Sequence, residues 1–292
     1  MTLTRLLFAL ALFVGTVGPR AGHAQWTEAP GEGWLEVRAV HHRTDVRFGP
    51  EGTIEPLFNA ESRSITTSTF LTAAVGLLPG LDAWAQVPFH HLQFNDIVRD
   101  RSSTGLGDPR LFLRAGPKAF GLDIGLPIAV RGGVKFPVGD FPIDAEIIPL
   151  SEGQRDWELL VELGYSLHPL PMYVMGWAGY RWRTFNDRID RKPGDERLLH
   201  AAAGGSLGAF TWKLAVDGLF GTPPVRRLPS TGLEIELERN TRRLVQMLPT
   251  VGWTIGPGAV ELGARVPVDG RNLPAGPALT LGYFVNWNEP LW

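Results

Sequence analysis

Charged residues recur at every second position inside apolar segments of this chain. Between residues 156 and 165, one parity is apolar and the other carries acidic side chains. The apolar positions are Trp157, Leu159, Val161, Leu163 and Tyr165, and the acidic positions are Asp156, Glu158 and Glu162. A helix would spread these charges around its circumference, whereas an extended strand places them on one face. The alternation therefore predicts β-strands with one apolar and one polar face.

The same alternation predicts twelve strands between residues 33 and 287. Their approximate ranges are 33–43, 66–78, 81–92, 104–115, 121–136, 156–167, 171–183, 197–207, 210–220, 243–255, 258–266 and 277–287. The predicted connections alternate between short turns and long polar loops, so that turns gather at one end of the molecule and loops at the other. No stretch has the composition of a linker, and we expect residues 33–287 to form one domain.

Alternation alone does not say which face is outside, because a soluble sandwich or barrel has the same pattern. A closed barrel of twelve strands is wider than the eight-stranded barrel that side chains can fill, so an apolar lining would leave an empty interior. Aromatic residues near strand ends on the apolar face are typical of a lipid–water boundary. They are Phe89, Trp157, Tyr180, Trp182, Trp212, Trp253 and Trp287. We therefore expect an all-β fold, a closed antiparallel transmembrane β-barrel with short periplasmic turns and long extracellular loops. A soluble two-sheet sandwich is the alternative.

The first 24 residues have the layout of a cleaved signal peptide. A basic start is followed by an apolar run over 6–17 and by the small residues Gly22 and Ala24. The run is too short for a membrane helix, which needs about 20 residues. We expect residues 1–24 to be removed, residues 25–32 to form a short periplasmic N-terminus and residues 288–292 to form a tail. Export and an even number of strands together predict the bacterial outer membrane.

The last predicted strand ends on an aromatic residue. Its apolar face carries Leu279, Leu281, Tyr283, Val285 and Trp287. This pattern resembles the C-terminal signal that the outer-membrane assembly machinery reads, so that machinery and outer-membrane lipid are the expected macromolecular partners. Trp292 is the alternative terminal aromatic, but that register would turn Asn288 and Pro290 towards lipid.

Charge and cysteine content exclude several classes of function. The 292 residues include 28 basic and 30 acidic side chains, which give a formal net charge of −2. A chain with this balance offers no polybasic surface for nucleic acid. The chain has no cysteine, which excludes disulfides, Cys-based metal sites and catalytic thiols. Gly105-Leu106-Gly107 lacks the third glycine and the following helix of a dinucleotide loop. We therefore expect neither a cofactor nor a metal.

The polar parity of the predicted strands defines the candidate functional residues, which we expect to line the lumen. The acids are Glu36, Asp82, Asp108, Asp123, Asp156, Glu158, Glu162, Asp217 and Glu261, and the bases are Arg38, Arg110, Arg114, Arg131, Lys135, Arg181, Arg183, Lys213 and Arg265. Such a balanced set should form ion pairs across strands. Two interpretations stay open: a charged constriction that orders a permeating solute, and a salt-bridged plug that passes nothing. The balance argues against strong selectivity for one sign of charge.

Four short motifs carry a resemblance to a known family. They are Thr104-Gly105-Leu106-Gly107-Asp108, Lys135-Phe136-Pro137-Val138-Gly139-Asp140, Gly179-Tyr180-Arg181-Trp182-Arg183 and Gly270-Arg271-Asn272. Between about Trp34 and Trp287 the chain resembles the outer-membrane family described as the "MetA-pathway of phenol degradation", which is similar in style to FadL-type hydrocarbon channels. The resemblance implies passive uptake of small hydrophobic or aromatic compounds, and it supplies no catalytic residues. A closed structural barrel is the alternative.

One motif is typical of an enzyme. Residues 204–208, Gly-Gly-Ser-Leu-Gly, match the nucleophile elbow G-x-S-x-G, which needs a following helix and a later histidine. No helix is predicted after Ser206, and the last histidine precedes it, so we expect the chain not to be an enzyme. An outer-membrane lipid hydrolase with a Ser–His pair on neighbouring strands is the less favoured alternative. Its candidate histidines are His41, His42, His90, His91, His168 and His200.

Three prolines, Pro88, Pro109 and Pro127, fall inside successive predicted strands. Each removes one backbone donor from the hydrogen-bonded ladder. Because a closed barrel has no free edge to accommodate them, we expect bulges or local bending at these positions.

Overall fold

The structure, a computed structural model, describes residues 27–58, 61–122, 127–138, 142, 144 and 146–287. The predicted signal peptide at 1–24, the predicted tail at 288–292 and the candidate Asp123 lie outside these ranges. Within the described residues, no helix is both long enough and apolar enough to cross a membrane.

Twelve strands build the main sheet. They are β1 Gly33–Thr44, β2 Arg63–Leu78, β3 Leu81–Asn95, β4 in two segments Asp100–Leu106 and Arg110–Ala115, β5 Ile128–Lys135, β6 Asp156–Ser166, β7 Met172–Arg183, β8 Glu196–Leu207, β9 Phe210–Gly221, β10 Arg243–Ile255, β11 Gly258–Arg271 and β12 Ala278–Trp287. All neighbouring strands are antiparallel. The strand count predicted from the alternation is therefore confirmed.

The sheet closes on itself through its first strand. On one side Gly33 of β1 pairs with Trp287 of β12, and on the other side it pairs with Val75 of β2. Every other strand pairs with its neighbours in chain order. In lipid, where water cannot satisfy backbone groups, such a closed ring leaves no strand edge without partners.

The faces of the strands have the orientation that the sequence predicts. On β6, outward Leu159 is 47% exposed, whereas its inward neighbours Glu158 and Glu162 are 7% and 5% exposed. Outward positions on the other strands are apolar and exposed in the same way, as at Val87, Leu113 and Leu281. The structure is a transmembrane-type barrel with an apolar exterior and a charged interior, so the soluble sandwich is excluded.

Several predicted strand boundaries are wrong, and the strand predicted over 258–266 runs to Arg271. The strand predicted to start at residue 121 begins at Ile128; the predicted turn before it holds a 3-10 helix over Pro117–Phe120, which ends at Gly121 with a positive φ of 71°. The loop predicted over 93–103 is largely strand, since β3 runs to Asn95 and β4 starts at Asp100. Polar side chains that face extracellular water do not interrupt a hydrogen-bonded hairpin.

The fourth strand bends where proline was expected to disturb it. Between its two segments, the Gly107 N–H donates to the Pro88 carbonyl at 2.9 Å, and the Phe136 N–H donates to the Pro109 carbonyl at 3.0 Å. A Cβ added to Gly107 would lie 2.4 Å from the imidazole of His90, so only glycine fits this bend. Pro127 precedes β5 and does not interrupt it.

The N-terminal segment lies against the inner wall at the end of the barrel that carries the short turns. The Gly31 N–H donates to the Gly76 carbonyl and the Gly76 N–H donates to the Glu32 carbonyl, both at 2.9 Å. The Glu28 N–H donates to the Asp82 carboxylate at 3.0 Å. Residues 27–32 therefore form a short inner rim at this mouth.

We predict that a charge on the lipid face destabilises the barrel strongly. Val161→Arg places a cation near the middle of outward-facing β6 and should lower the free energy of unfolding by about 2–4 kcal/mol. Val98→Arg, in the exposed turn before β4, is the matched control and should change it by less than about 0.5 kcal/mol. Urea unfolding in lipid vesicles, followed by tryptophan fluorescence, measures both, and equal effects would contradict the assigned orientation.

Candidate functional site

Ion pairs cover the inner wall near the mouth that carries the turns. Arg114 of β4 contacts Asp82 of β3 at 2.6 Å, and Arg131 of β5 contacts Glu162 of β6 at 2.7 Å. Both guanidinium groups also pack on the ring of Trp84, at 4.9 and 4.8 Å from the ring centroid. Arg114 also lies 3.7 Å from Glu162 and 3.9 Å from Glu28, so this belt links three carboxylates to two cations.

A second, larger belt lies towards the long loops. Its centre is Arg181 of β7, which contacts Glu158 at 2.9 Å and Glu196 at 2.5 Å. Arg183 reaches Asp156 at 3.5 Å and Glu196 at 3.4 Å, and Lys135 reaches Asp156 at 2.8 Å. Here each carboxylate is shared by two or more cations.

The remaining wall carries fewer ion pairs. Arg38 of β1 contacts Glu261 of β11 at 2.7 Å and also pairs with Glu36. On β9, the carboxylate of Asp217 lies 2.5 Å from Nδ1 of His200. Within the part of the chain that the structure describes, Arg265 has no ion-pair partner and its Nε makes no hydrogen bond.

The loop between β5 and β6 folds into the mouth of the barrel. Asp108, at the bend of β4, accepts hydrogen bonds from the backbone N–H groups of Val138 and Glu152, both at 3.0 Å. The Ile148 N–H donates to Ser103 Oγ at 3.2 Å. One carboxylate therefore holds both ends of this loop against the wall.

The Glu152 carboxylate extends this loop contact to two strands. It contacts Arg183 at 2.6 Å and also pairs with Lys135. Burial by itself would raise the pKa of Glu152, but the charges of Arg183 and Lys135 outweigh it and lower the pKa well below its ordinary range. The carboxylate therefore stays ionised at neutral and mildly acidic pH.

Wall and loop together enclose a cavity of about 560 Å³, called the lumen cavity below. Seven basic and four acidic side chains line it, together with apolar groups. The bases are Arg38, Arg110, Lys135, Arg181, Arg183, Arg242 and Arg265, the acids are Glu36, Asp108, Glu152 and Glu196, and the apolar residues include Phe70, Pro88, Leu150 and Leu219. The ion-pair partners of several of these cations, Asp156, Glu158 and Glu261, lie just behind this lining, so the lining alone does not give the net charge of the lumen.

The structure places the predicted charged residues on inward faces, apart from Asp123, which lies outside the described residues. It does not bring all of them to one place, since Lys213 and Asp217 do not line the lumen cavity. Sequence reasoning missed Glu152, Glu196 and Arg242. Glu196 has the inward parity of Leu198 and His200 and could have been found by extending β8 by one residue, whereas Glu152 and Arg242 lie in loops without periodicity.

One Ser–His pair lies in the lumen. Ser68 Oγ is 2.7 Å from Nδ1 of His90, and both residues face inward. The pair therefore lies on the side of the wall opposite to the apolar exterior. Ser206 lies in strand β8, which a tight turn at Gly208 joins to β9, and the helix that a nucleophile elbow needs is absent from these described residues. Within the described ranges, no group of three or more His, Asp or Glu could hold a metal ion.

This closed ring of twelve antiparallel strands, apolar outside and charged inside, defines an outer-membrane β-barrel. Among solved structures the chain is similar to the COG4313 outer membrane channel from Pseudomonas putida F1, with 14% identity and a TM-score of 0.71 over 93% of this chain and 100% of that chain. It is also matched to the Ralstonia pickettii toluene transporter TbuX, with 10% identity and a TM-score of 0.31 over 89% of this chain and 90% of that chain. The first similarity shows the fold, and the second is too distant to carry an argument.

Neither a family model nor a curated protein matches the sequence. The phenol-degradation family suggested by the four motifs therefore stays a prediction.

We predict that Asp108→Ala releases the loop between β5 and β6. A hydrogen bond to a charged acceptor contributes about 1.5–3 kcal/mol, so amide exchange at Val138 and Glu152 should accelerate about tenfold or more. Asp187→Ala, which removes an exposed loop carboxylate elsewhere, is the matched control and should leave this exchange unchanged. Hydrogen–deuterium exchange mass spectrometry checks both, and equal protection in Asp108→Ala would contradict the anchoring role.

We predict that mild acid does not release the loop. A carboxyl with a lowered pKa stabilises the fold above its unfolded pKa and loses that contribution only as the pH falls through the folded pKa. Because the folded pKa of Glu152 lies well below 4.5, protection of residues 146–152 should be equal at pH 7 and pH 5 after correction for intrinsic exchange. Glu152→Gln should lower the protection of these residues at both pH values. If the wild type lost protection at pH 5, the prediction would be contradicted.

Proposed function

We propose that the chain is a passive diffusion channel of the bacterial outer membrane, with a lumen that favours small anionic solutes. The observation that carries the proposal is a set of lumen cations without a close ion pair: Arg110 and Arg242 reach carboxylates only at 3.6 Å, and Arg265 has no ion-pair partner among the described residues. In a narrow pore with low-dielectric walls, such incompletely neutralised cations raise the local concentration of anions and repel cations. The similarity in fold to an outer membrane channel supports the channel class.

The uptake of small hydrophobic or aromatic compounds is the finer prediction from the family resemblance. A neutral apolar solute would have to displace water from guanidinium and carboxylate groups without replacing their hydrogen bonds, which is unfavourable. A solute with a negative charge replaces that water with ion pairs. We therefore propose that aromatic solutes, where they pass, carry an acidic group.

A closed structural barrel is the second candidate. The inward-folded loop and the ion pairs of Lys135, Arg181 and Arg183 favour it, because they fill part of the lumen and brace four strands. A plug of this kind would pass no measurable current, so conductance separates the two candidates.

We further propose that lipid and the assembly machinery contact the last strand. Its outward residues Leu279, Leu281 and Tyr283 are exposed, which is consistent with a lipid-facing signal. Within the described residues the strand ends at Trp287, whose indole N–H donates to the Gly31 carbonyl at 3.0 Å. We also propose that the chain has no enzymatic activity, because its Ser68–His90 pair faces the lumen.

We predict that the purified protein forms discrete channels in planar bilayers and that chloride permeates more readily than potassium. A KCl gradient should give a reversal potential of the sign expected for anion preference. Arg265→Gln should shift this potential towards zero because it removes an unpaired cation from the lumen cavity, whereas Arg226→Gln, in the short strand Val225–Arg227 outside the barrel sheet, should leave it unchanged. Absence of current would favour the structural barrel, and cation preference would refute the proposed selectivity.

A further inference from the structure

The lumen cavity contains an apolar patch formed by Phe70, Pro88 and Leu150. Phe70 of β2 pairs directly with Pro88 of β3, and its ring centroid lies 6.1 Å from that of His90 in an edge-to-face arrangement. Leu150 comes from the inward-folded loop and lies beside Gly105, the strand partner of His90. Two adjacent strands and the loop thus bring apolar groups together inside an otherwise charged lumen.

Incompletely neutralised cations line the same cavity as this patch. Arg110 reaches Glu158 only at 3.6 Å, while Arg181 holds that carboxylate at 2.9 Å. Arg242 reaches Glu196 at 3.6 Å, and this carboxylate is already engaged by Arg181 at 2.5 Å.

The third such cation, Arg265, has no ion-pair partner among the described residues, and its Nε is without a hydrogen bond. Guanidinium groups retain unused donors in a fixed planar arrangement that matches a carboxylate. These three guanidinium groups therefore keep donors available for an anionic oxygen of a solute.

We propose that the lumen cavity is a binding subsite for a small organic carboxylate with an apolar, preferably aromatic, body. The carboxylate would be bound by Arg110, Arg242 or Arg265, and the body would pack on Phe70, Pro88 and Leu150, where an edge-to-face contact with the Phe70 ring is favourable. A cavity of about 560 Å³ lies within the size range of small-molecule sites. The inference rests on the proposed function and specifies its solute class.

Binding in such a channel has to be weak, since a permeating solute must also leave. The measurable consequence is a competitive block: a carboxylate that occupies the lumen cavity should reduce the chloride current through the same opening. The block should depend on both the charge and the apolar body of the solute.

The test compares benzoate, acetate and benzyl alcohol as blockers of the chloride current of the full chain in planar bilayers. We expect benzoate to block at concentrations about tenfold lower than acetate, since it alone has both recognised parts, and benzyl alcohol at equal concentration not to block. Equal block by benzoate and acetate, or block by benzyl alcohol, would overturn the inference. Anion preference without benzoate block would leave the proposed function intact, whereas lack of anion preference would refute the proposed function itself.

Variants separate the two parts of the subsite. Phe70→Ala should narrow the difference between the concentrations at which benzoate and acetate block the current. Arg265→Gln should weaken the benzoate block about fivefold. Arg226→Gln is the matched control, and benzoate should block this variant as it blocks the wild type. Arg110→Gln tests the same charge contribution if Arg265→Gln fails to fold, as judged by circular dichroism. An unchanged benzoate block in Phe70→Ala and in the folded arginine variant would overturn the inference.

Discussion

The structure depends on the closure of its backbone hydrogen bonds into a ring. In lipid an unpaired strand edge would be strongly unfavourable, so β1 must pair with β12 as well as with β2. Closure fixes two faces for every strand. The outward face then has to be apolar where it meets lipid, whereas the inward face admits ionisable side chains, which pair with one another.

Inside this ring, the ion pairs are not distributed evenly. Near the mouth that carries the turns, Arg114 and Arg131 each have a short contact with a different carboxylate. Towards the loops, Glu196 serves three guanidinium groups, those of Arg181, Arg183 and Arg242. The first arrangement braces the wall with short ion pairs, whereas the second leaves Arg242 3.6 Å from its nearest carboxylate, beside open space. Such incompletely neutralised cations support the proposed preference for anions.

Asp108 connects the irregular parts of the barrel. It lies at the bend of β4, and it accepts hydrogen bonds from both ends of the inward-folded loop. The loop in turn delivers Leu150 and Glu152 to the lumen cavity. A single carboxylate thus determines where the apolar patch and an additional negative charge meet the guanidinium groups of the wall.

The sequence by itself determined the strands, their faces and the inward set of charges, because side chains in a strand alternate with a period of two and lipid accepts only the apolar face. It did not locate the start of β5 at Ile128, or the contribution of the loop residue Glu152, which lies in a segment without this periodicity. The balanced total of acids and bases likewise predicted no selectivity. Only the tertiary structure decided which charges share one level of the lumen, since that depends on the stagger between neighbouring strands and on the path of a loop anchored at Asp108. A direct ion pair forms only when nitrogen and oxygen lie within about 4 Å of each other, so the local positions of the charges determine the chemistry of the lumen cavity.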